Sequence, residues 1–325
     1  MNAGLVLGID GGGSKTLVAL ADGSGHLVRL RRGRGSNPLD SPGWRDELVE
    51  LLRPFTRTAG LAGVAAGLAA YGEVEAISAA QRGAIAEVFG AIPQRVLNDV
   101  DAAHVGAFAG GAGILILSGT GSMAWARDRG GRSYRVGGWG DAIGDEGSSH
   151  WIGRKILGLV SQSLDGRATP TALSEALFDS LGLDPADPMN SLGGWVSRLT
   201  DPRAEVAALA PLASRLAESG DAGAQGIIEA AAEELARHVT AIARLAGRDL
   251  DWSHAGGTFA SAPLREAVAR HLGRPPKPPR LPPIGGALLA AAQHVGWAAD
   301  AQWIDRLAAS LAAPAPSVNE LQPTN

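Results

Sequence analysis

Cysteine is absent from the sequence. That excludes disulfides, thiolate zinc sites, cysteine nucleophiles and cysteine-ligated iron-sulfur clusters. No run of 18 apolar residues occurs, which excludes a hydrophobic membrane-spanning helix. Met1 to Ile9 lacks the basic start, the longer apolar stretch and the small-residue cleavage site of an export signal, so a cytoplasmic protein is expected. An excess of positive charge is missing too. A net charge of -4 and a pI near 6.0 leave no broad attraction for nucleic acid or anionic lipid. Arg29, Arg31, Arg32 and Arg34 form the only basic cluster. It carries no interleaved aromatics and reads as a solvated strand edge and loop.

What is present points to a globular chain. Hydrophobic residues make up 45% and charged residues 19% of 325 positions, a length that suits two domains, each with its own core. Leu5 to Ile9 is an apolar run that ends in Asp10 and the turn Gly11, Gly12, Gly13, Ser14, Lys15, Thr16. Leu17 to Ala21 and His26 to Leu30 then read as further strands of a meander. Helical spacing follows in Trp44 to Leu52 and Ile77 to Phe89, with strand-like Gly63 to Leu68 and Arg95 to Leu97 between and after them. Asn98 and Asp99 mark a strand handing over to a helix at Ala102 to Phe108.

From Gly113 the pattern restarts. Ile114 to Leu117 is apolar, Ser118, Gly119, Thr120, Gly121 and Ser122 form a turn, and Met123 to Ala126 resumes as strand. The two turns, at Gly11 and Gly119, lie 108 residues apart. That spacing suits a duplicated domain rather than a solenoid, whose period is much shorter. Helices are expected over Ala204 to Glu218 and Ala222 to Leu245, and another opens with Pro263 after Gly256 and Gly257. Six prolines between Pro275 and Pro283 read as a stiff connector. The predicted organisation is a first lobe over 1–111 with a closing helix at 285–311, a second lobe over 112–284, and a disordered tail at 312–325.

Consecutive backbone N–H groups in a glycine turn converge on an oxyanion, and phosphate is the expected guest. Two familiar phosphate motifs do not fit. After Gly8 and Gly13 comes Ser14 rather than lysine, with a strand beyond, so this is not a P-loop. No G-x-G-x-x-G enters a helix, so a dinucleotide fold has no support. Two hydroxyl-bearing hairpins and one carboxylate at a strand end suit a triphosphate with Mg2+.

GIDGGGSKT at Gly8 to Thr16, SNP at Ser36 to Pro38, LND at Leu97 to Asp99, LSGTGS at Leu117 to Ser122, GGWGDAIGDEGS at Gly137 to Ser148 and AGGTFAS at Ala255 to Ser261 occur in this order. On these stretches the sequence resembles the N-acetylglucosamine kinase branch of the BadF/BadG/BcrA/BcrD ATPase family, within the actin and sugar-kinase superfamily. The resemblance implies an α/β, two-lobed actin/hexokinase-like (ribonuclease H-like) fold of duplicated domains with an ATP cleft between them. It implies transfer from ATP, with Mg2+, to an amino sugar, with N-acetylglucosamine 6-phosphate as the product. By the same resemblance Asp99 is the general base and Asp10 the Mg2+ carboxylate. Gly11, Gly12, Gly13, Ser14, Lys15 and Thr16 face Gly119, Thr120 and Gly121 on the phosphates, and Gly256 and Gly257 meet the adenosine. Asn37, Gly138, Trp139 and Asp145, with Asp99, are the implied sugar contacts.

Position alone would make Asp99 a helix N-cap, and alternation after the turn would aim Lys15 at solvent. The seven histidines receive no role. After Gly67 and Leu68 the kinase branch carries small residues or serine, whereas this chain has Ala69, Ala70, Tyr71, Gly72 and Glu73. Glucosamine, N-acetylmuramic acid and glucose therefore stay open as acceptors. A small sugar is the expected partner, with no nucleic acid and no membrane; the resemblance also allows a homodimer. Among rival readings, a reductase activator needs the cysteines this chain lacks. A non-catalytic sensor has no need of a base, and an actin-like ATPase has no need of an acceptor pocket.

Overall fold

The computed structural model describes residues 4–313. In chain order the strands and helices begin with β1 (Leu5–Gly11), β2 (Thr16–Asp22), β3 (Leu27–Gly33), α1 (Trp44–Leu52), β4 (Leu61–Leu68), α2 (Glu75–Phe89), β5 (Gln94–Asn98) and α3 (Asp99–Phe108). There follow β6 (Gly113–Ser118), β7 (Ser122–Arg127), β8 (Ser133–Gly137), α4 (Ser149–Leu164), α5 (Ala172–Leu181), α6 (Pro188–Ser197), α7 (Pro202–Ala207), α8 (Ala210–Glu218), α9 (Ala222–Ala246), β9 (Trp252–Ala255) and α10 (Ala262–Leu272). The chain closes with α11 (Pro283–His294) and α12 (Ala301–Ala312). Two compact units result. One takes the residues up to Gly111 and those from Pro279 onward; the other is Ala112–Pro278.

The first unit carries a sheet in the order β3-β2-β1-β4-β5. The β1–β2–β3 meander is antiparallel, and β4 and β5 add in parallel. Period-two alternation sends Val6, Ala19, Ala21 and Ala65 to one face, where α3, α11 and α12 cover them. Leu7, Ile9, Val18, Leu20, Val64 and Ala66 go to the other, with the apolar sides of α1 and α2. The arginines of β3 lie on the sheet's edge strand, as the sequence suggested; Arg29 stacks over Phe55 at 5.0 Å and Arg34 pairs with Glu47 at 3.6 Å.

Helix α11 is buried on every side from Ile284 to Ala292, as befits an apolar helix with no polar face. Its neighbours come close because glycines face them. A Cβ at Gly286 would stand 2.0 Å from the Ala102 carbonyl oxygen of α3, and one at Gly8 would stand 2.8 Å from the Leu288 nitrogen.

The second unit repeats the meander. Its sheet runs β8-β7-β6-β9, with β6–β7–β8 antiparallel and β9 parallel to β6. Apolar residues of α9 at helical spacing, from Ala224 through Ile228, Ala231, Leu235, Val239 and Ile242, pack on Ile114, Ile116, Ala124 and Ala126.

Several boundaries differ from the sequence-based expectation. The segment 285–311 holds two helices, because Gly296 turns the chain at φ +74° and Asp300 caps a new start by accepting from the Trp303 N–H at 2.9 Å. The second unit ends at Pro278 rather than 284. The proline connector is tied to β9, with Lys277 N–H donating to the Trp252 carbonyl at 2.7 Å. Of the expected tail, Ala312 still belongs to α12, and 314–325 lies outside the described residues. Ala204 to Glu218 is two helices, with Pro211 in the first turn of the second. Among the described residues no helix is long and apolar enough to cross a membrane.

The glycines of two helices test this packing. Gly83→Ala on the exposed side of α2, where a Cβ meets nothing within 4 Å, should raise unfolding stability by roughly 0.5–1 kcal/mol through propensity. Gly286→Ala gains the same propensity but overpacks α11 against α3, so urea unfolding should show a net loss of about 1–3 kcal/mol or more.

Candidate functional site

The first unit gathers its polar residues where β1 ends. Gly12 N–H donates to the Lys15 carbonyl at 3.1 Å, closing the β1–β2 turn, and a second segment lies directly on it. Ser36 N–H donates to the Gly12 carbonyl at 3.0 Å, and the buried Thr16 hydroxyl donates to Ser36 Oγ at 2.9 Å. A Cβ at Gly35 would fall 1.7 Å from the Gly13 carbonyl oxygen, and one at Gly13 would fall 2.8 Å from Asp40 Oδ2. Gly35 therefore requires glycine, because the atom struck is main chain, whereas at Gly13 the Asp40 carboxylate would have to move. Asn37, read from the sequence as a sugar contact, is buried in this segment. Its amide donates to Asp40 Oδ2 at 2.7 Å and its oxygen accepts from the Leu39 N–H at 3.2 Å.

Of the predicted phosphate residues, Gly13, Ser14 and Lys15 are exposed at the turn. Thr16 is not, since its hydroxyl proton is directed at Ser36; what it offers an anion is backbone.

Asp10 and Asp99 meet through the sheet register. Asp10 pairs with Gly67 of β4, and Gly67 pairs with Leu97 of β5, whose next residues start α3. Gly67 keeps the space between them open: a Cβ there would lie 3.5 Å from Asp99 Cα and 2.5 Å from Ala102 Cβ. Asn98 is the N-cap of α3, accepting from the Val100 N–H at 2.9 Å. Asp99 is thus the first helical residue, its Oδ1 also accepting from Val100 at 2.9 Å, so capping does not depend on it.

Burial pushes the Asp99 carboxyl up to about 7, reinforced by the charges of Asp10 and Glu73 and opposed by the Val100 N–H. Burial likewise raises Asp10 to about 6, against the pull of Lys15. Among the described residues no group of three His, Asp, Glu or Cys side chains converges on one point. Asp10, a carboxylate at a strand end beside exposed turn residues, fits Mg2+ of the kind held by one protein carboxylate, water and substrate phosphates.

The second unit builds a related turn and locks it differently. Ser118 Oγ donates to the Gly147 carbonyl at 2.9 Å and Ser122 Oγ to the Glu146 carbonyl at 2.7 Å. These hydroxyls, which flank the turn, hold the segment 145–147. Thr120 is exposed at the tip. The Gly256–Gly257 turn lies on the same backbone: Gly256, at φ +99°, would put a Cβ 2.1 Å from the Ser118 carbonyl oxygen. The turn at Gly119, Thr120 and Gly121 and the turn at Gly256 and Gly257 are therefore neighbours.

Sequence reasoning missed the hydroxyls around them. Ser149 and Thr258 hydroxyls lie 2.7 Å apart, and Ser214 Oγ donates to Ser261 Oγ at 2.8 Å. Ser149, Ser214, Gly257, Thr258 and Ser261 line a cavity of about 180 Å³. Thr258 and Ser261 fall within the AGGTFAS stretch, but Ser149 and Ser214 come from other segments and give no motif to read.

Asp145 is buried at φ +58°, its Oδ2 accepting from Arg203 Nη2 at 2.8 Å and its Oδ1 from the Ser122 N–H at 3.3 Å. It thus braces the second turn, and Arg203, the second residue of α7, was not foreseen. Gly138 sits at φ +71°, and Arg135 donates to the carbonyls of Gly137 and Gly138. Trp139 is 74% exposed, which fits a contact residue better than a core one. The predicted sugar set is divided between the units: Asn37 and Asp99 belong to one, Gly138, Trp139 and Asp145 to the other.

Known proteins resemble this chain in sequence and in fold. A curated N-acetylmuramic acid/N-acetylglucosamine kinase of Clostridium acetobutylicum is 31% identical over 249 residues, covering 73% of this chain and 78% of its own. A Chromobacterium violaceum structure provisionally designated an N-acetylglucosamine kinase superposes with a TM-score of 0.73 at 25% identity, over 88% of this chain and 98% of the other. A Streptomyces griseus ROK family glucokinase, solved with glucose and AMPPNP, shares the fold with a TM-score of 0.55 at 16% identity, over 89% and 99%. The profile of the BadF/BadG/BcrA/BcrD ATPase family matches residues 7–291, and the chain belongs to that family.

Proposed function

We propose that this protein transfers the γ-phosphoryl group of ATP to the 6-hydroxyl of an amino sugar, N-acetylglucosamine being the acceptor best supported. The observation that carries the reading is Asp99: a carboxylate at a helix start, relieved of capping by Asn98 and coupled to a second carboxylate at the end of β1. The kinase names borne by the Clostridium and Chromobacterium relatives favour the same chemistry.

In this mechanism the Asp99 carboxylate accepts the proton of the acceptor hydroxyl as its oxygen bonds to the γ-phosphorus, and the bond to the β-phosphate oxygen breaks to release ADP. The N-terminal end of α3 orients the carboxylate. The exposed Gly13, Ser14 and Lys15 contribute N–H groups and one charge to the distal phosphates, over the turn that the Gly12 N–H closes, and the turn Gly119, Thr120, Gly121 supplies the second cradle. Bound through Asp10, Mg2+ would neutralise charge on the phosphates. The adenosine belongs at Gly256 and Gly257, beside the hydroxyl-lined cavity. Gly138, Trp139 and Asp145 are the sugar-facing segment of the second unit: the exposed indole offers an apolar face to the ring, and Asp145 fixes the loop by way of Arg203.

ADP release measured with a panel of N-acetylglucosamine, glucosamine, N-acetylmuramic acid and glucose should show turnover that depends on the acceptor and is fastest with N-acetylglucosamine. Equal ADP production with and without every sugar would defeat the kinase reading. Asp99→Asn should lower kcat roughly 10²- to 10⁴-fold while ATP binding, followed by calorimetry, persists.

The raised carboxyls also set two pH trends. With Asp99 titrating at about 7 in the unliganded protein, kcat/KM should rise with pH through that region as the base ionises. For stability the sign is reversed. The folded state keeps a proton that the unfolded chain releases near pH 4, so Asp99 costs stability progressively as pH rises from about 4 to about 7. Asp99→Asn removes that cost, and its melting temperature should exceed that of the parent at pH 8 but converge with it at pH 4.

A further inference from the structure

We infer that His238 is a positioning residue for the 137–147 loop, a protonated imidazole that grips both ends of the segment carrying Gly138, Trp139 and Asp145. At one end, His238 lies against the loop's first residue. A Cβ on Gly137 would stand 2.4 Å from both Cδ2 and Nε2 of the ring, and Gly137 is at φ +77°, so backbone and imidazole are in direct contact. At the other end, Nε2 is 3.6 Å from Glu146 Oε2.

Hydrogen-bond chemistry fixes the Nδ1 side of the ring. Nδ1 lies 2.8 Å from the Glu234 carbonyl oxygen one turn earlier in α9. A carbonyl only accepts, so Nδ1 carries hydrogen. In a neutral ring Nε2 would then present a lone pair to the Glu146 carboxylate, two acceptors facing each other beside a side chain that is 9% exposed. With a proton on Nε2 the same contact becomes an attraction between imidazolium and carboxylate. The nearby charges leave that proton to Glu146: Glu233 and Glu234 of α9 both pair with Arg237, at 2.7 and 2.8 Å, and Arg135 of β8 donates to loop carbonyls.

Glu146 passes the constraint on. Its own carbonyl accepts from Ser122 Oγ at 2.7 Å, joining it to the second glycine turn, while its neighbour Asp145 accepts from Arg203 and from the Ser122 N–H. Between these anchors the loop's tip remains exposed at Trp139 and at Ile143, 74% and 76% respectively. His238 thus closes the base of the loop while leaving the indole presented. It touches no reacting group.

The consequence for catalysis rests on the amino-sugar reading above, in which this loop meets the acceptor. Nitrogen-detected NMR of the folded protein at neutral pH, with the His238 signal identified by its loss in His238→Gln, should show hydrogen on both ring nitrogens, and Glu146→Gln should return the ring to the neutral Nδ1–H form. A neutral ring in the parent, or one indifferent to Glu146→Gln, overturns the inference whatever the protein's activity. In steady-state kinetics His238→Ala should raise the acceptor KM about tenfold with kcat within about threefold, and His238→Gln, which keeps a donor without the charge, should recover part of the loss. An unchanged acceptor KM in both variants, with the parent turning over amino sugar, also overturns it. Absence of amino-sugar turnover in the parent would instead defeat the proposed function and leave the NMR result standing.

Discussion

Both units depend on one constraint: a strand–turn–strand hairpin whose backbone must be touched by another backbone. In the first unit Gly35 brings the segment 34–41 onto Gly13, and in the second Gly256 brings the segment after β9 onto Ser118. Side chains at those positions would overlap carbonyl oxygens at 1.7 and 2.1 Å, a collision no rotamer change relieves because the atoms struck are main chain. The contacts fix the turns, and a fixed turn is what an anion cradle requires: its N–H groups must already converge before the anion arrives.

From that shared device the units diverge according to what lies beside the turn. The first has Asp10 at the end of β1, parallel β4 and β5 next to it, and Gly67 leaving room for the start of α3. Its carboxylates are crowded and incompletely solvated, so their proton affinities rise. The second unit has no strand equivalent to β5 beyond β9, and the space next to its turn is occupied by the loop ending in Asp145, Glu146 and Gly147. Its one buried carboxylate there is compensated by Arg203. Chemistry that needs a reactive carboxylate belongs to the first unit, whereas the second is organised to hold and present.

Much of this was legible in the sequence for a definite reason. The meanders, both glycine turns and the long α9 carry strong periodic or punctuated patterns, and six motifs in order specified the family. Other features give no local signal. The strand β9 is four residues long, and β8 is five residues with two partly buried apolar positions, Tyr134 and Val136, too short for alternation to show. Residues 204–218 keep an apolar helical rhythm across Leu209, so only Pro211 betrays the new start. Arg203 and His238 act on partners 58 and 92 residues away, Asp145 and Glu146, and spacing of that kind is visible only after folding. Asn37 shows a structural part that its motif does not announce: its amide and its oxygen both bond within the loop that clamps the glycine turn.

The pair Asn98–Asp99 shows how adjacent residues divide structural and chemical work. A helix start must satisfy its leading N–H groups, and a carboxylate that does so is held in its ionised form with its oxygens engaged. If Asp99 were the cap, its proton affinity would fall and its reach would shorten. With Asn98 as the cap, the neutral amide accepts the Val100 N–H and its Nδ2 donates to the Tyr71 carbonyl at 2.9 Å, tying the 69–74 loop to the same corner. The dipole and one N–H still orient Asp99, yet burial and the Asp10 charge outweigh them, and the balance sits near neutrality. That is where a base combines useful ionisation with useful proton affinity. Introducing positive charge beside Asp10 would shift the balance further toward the ionised base, so the charge that neutralises the phosphates and the group that accepts the proton are electrostatically coupled through a gap kept open by Gly67.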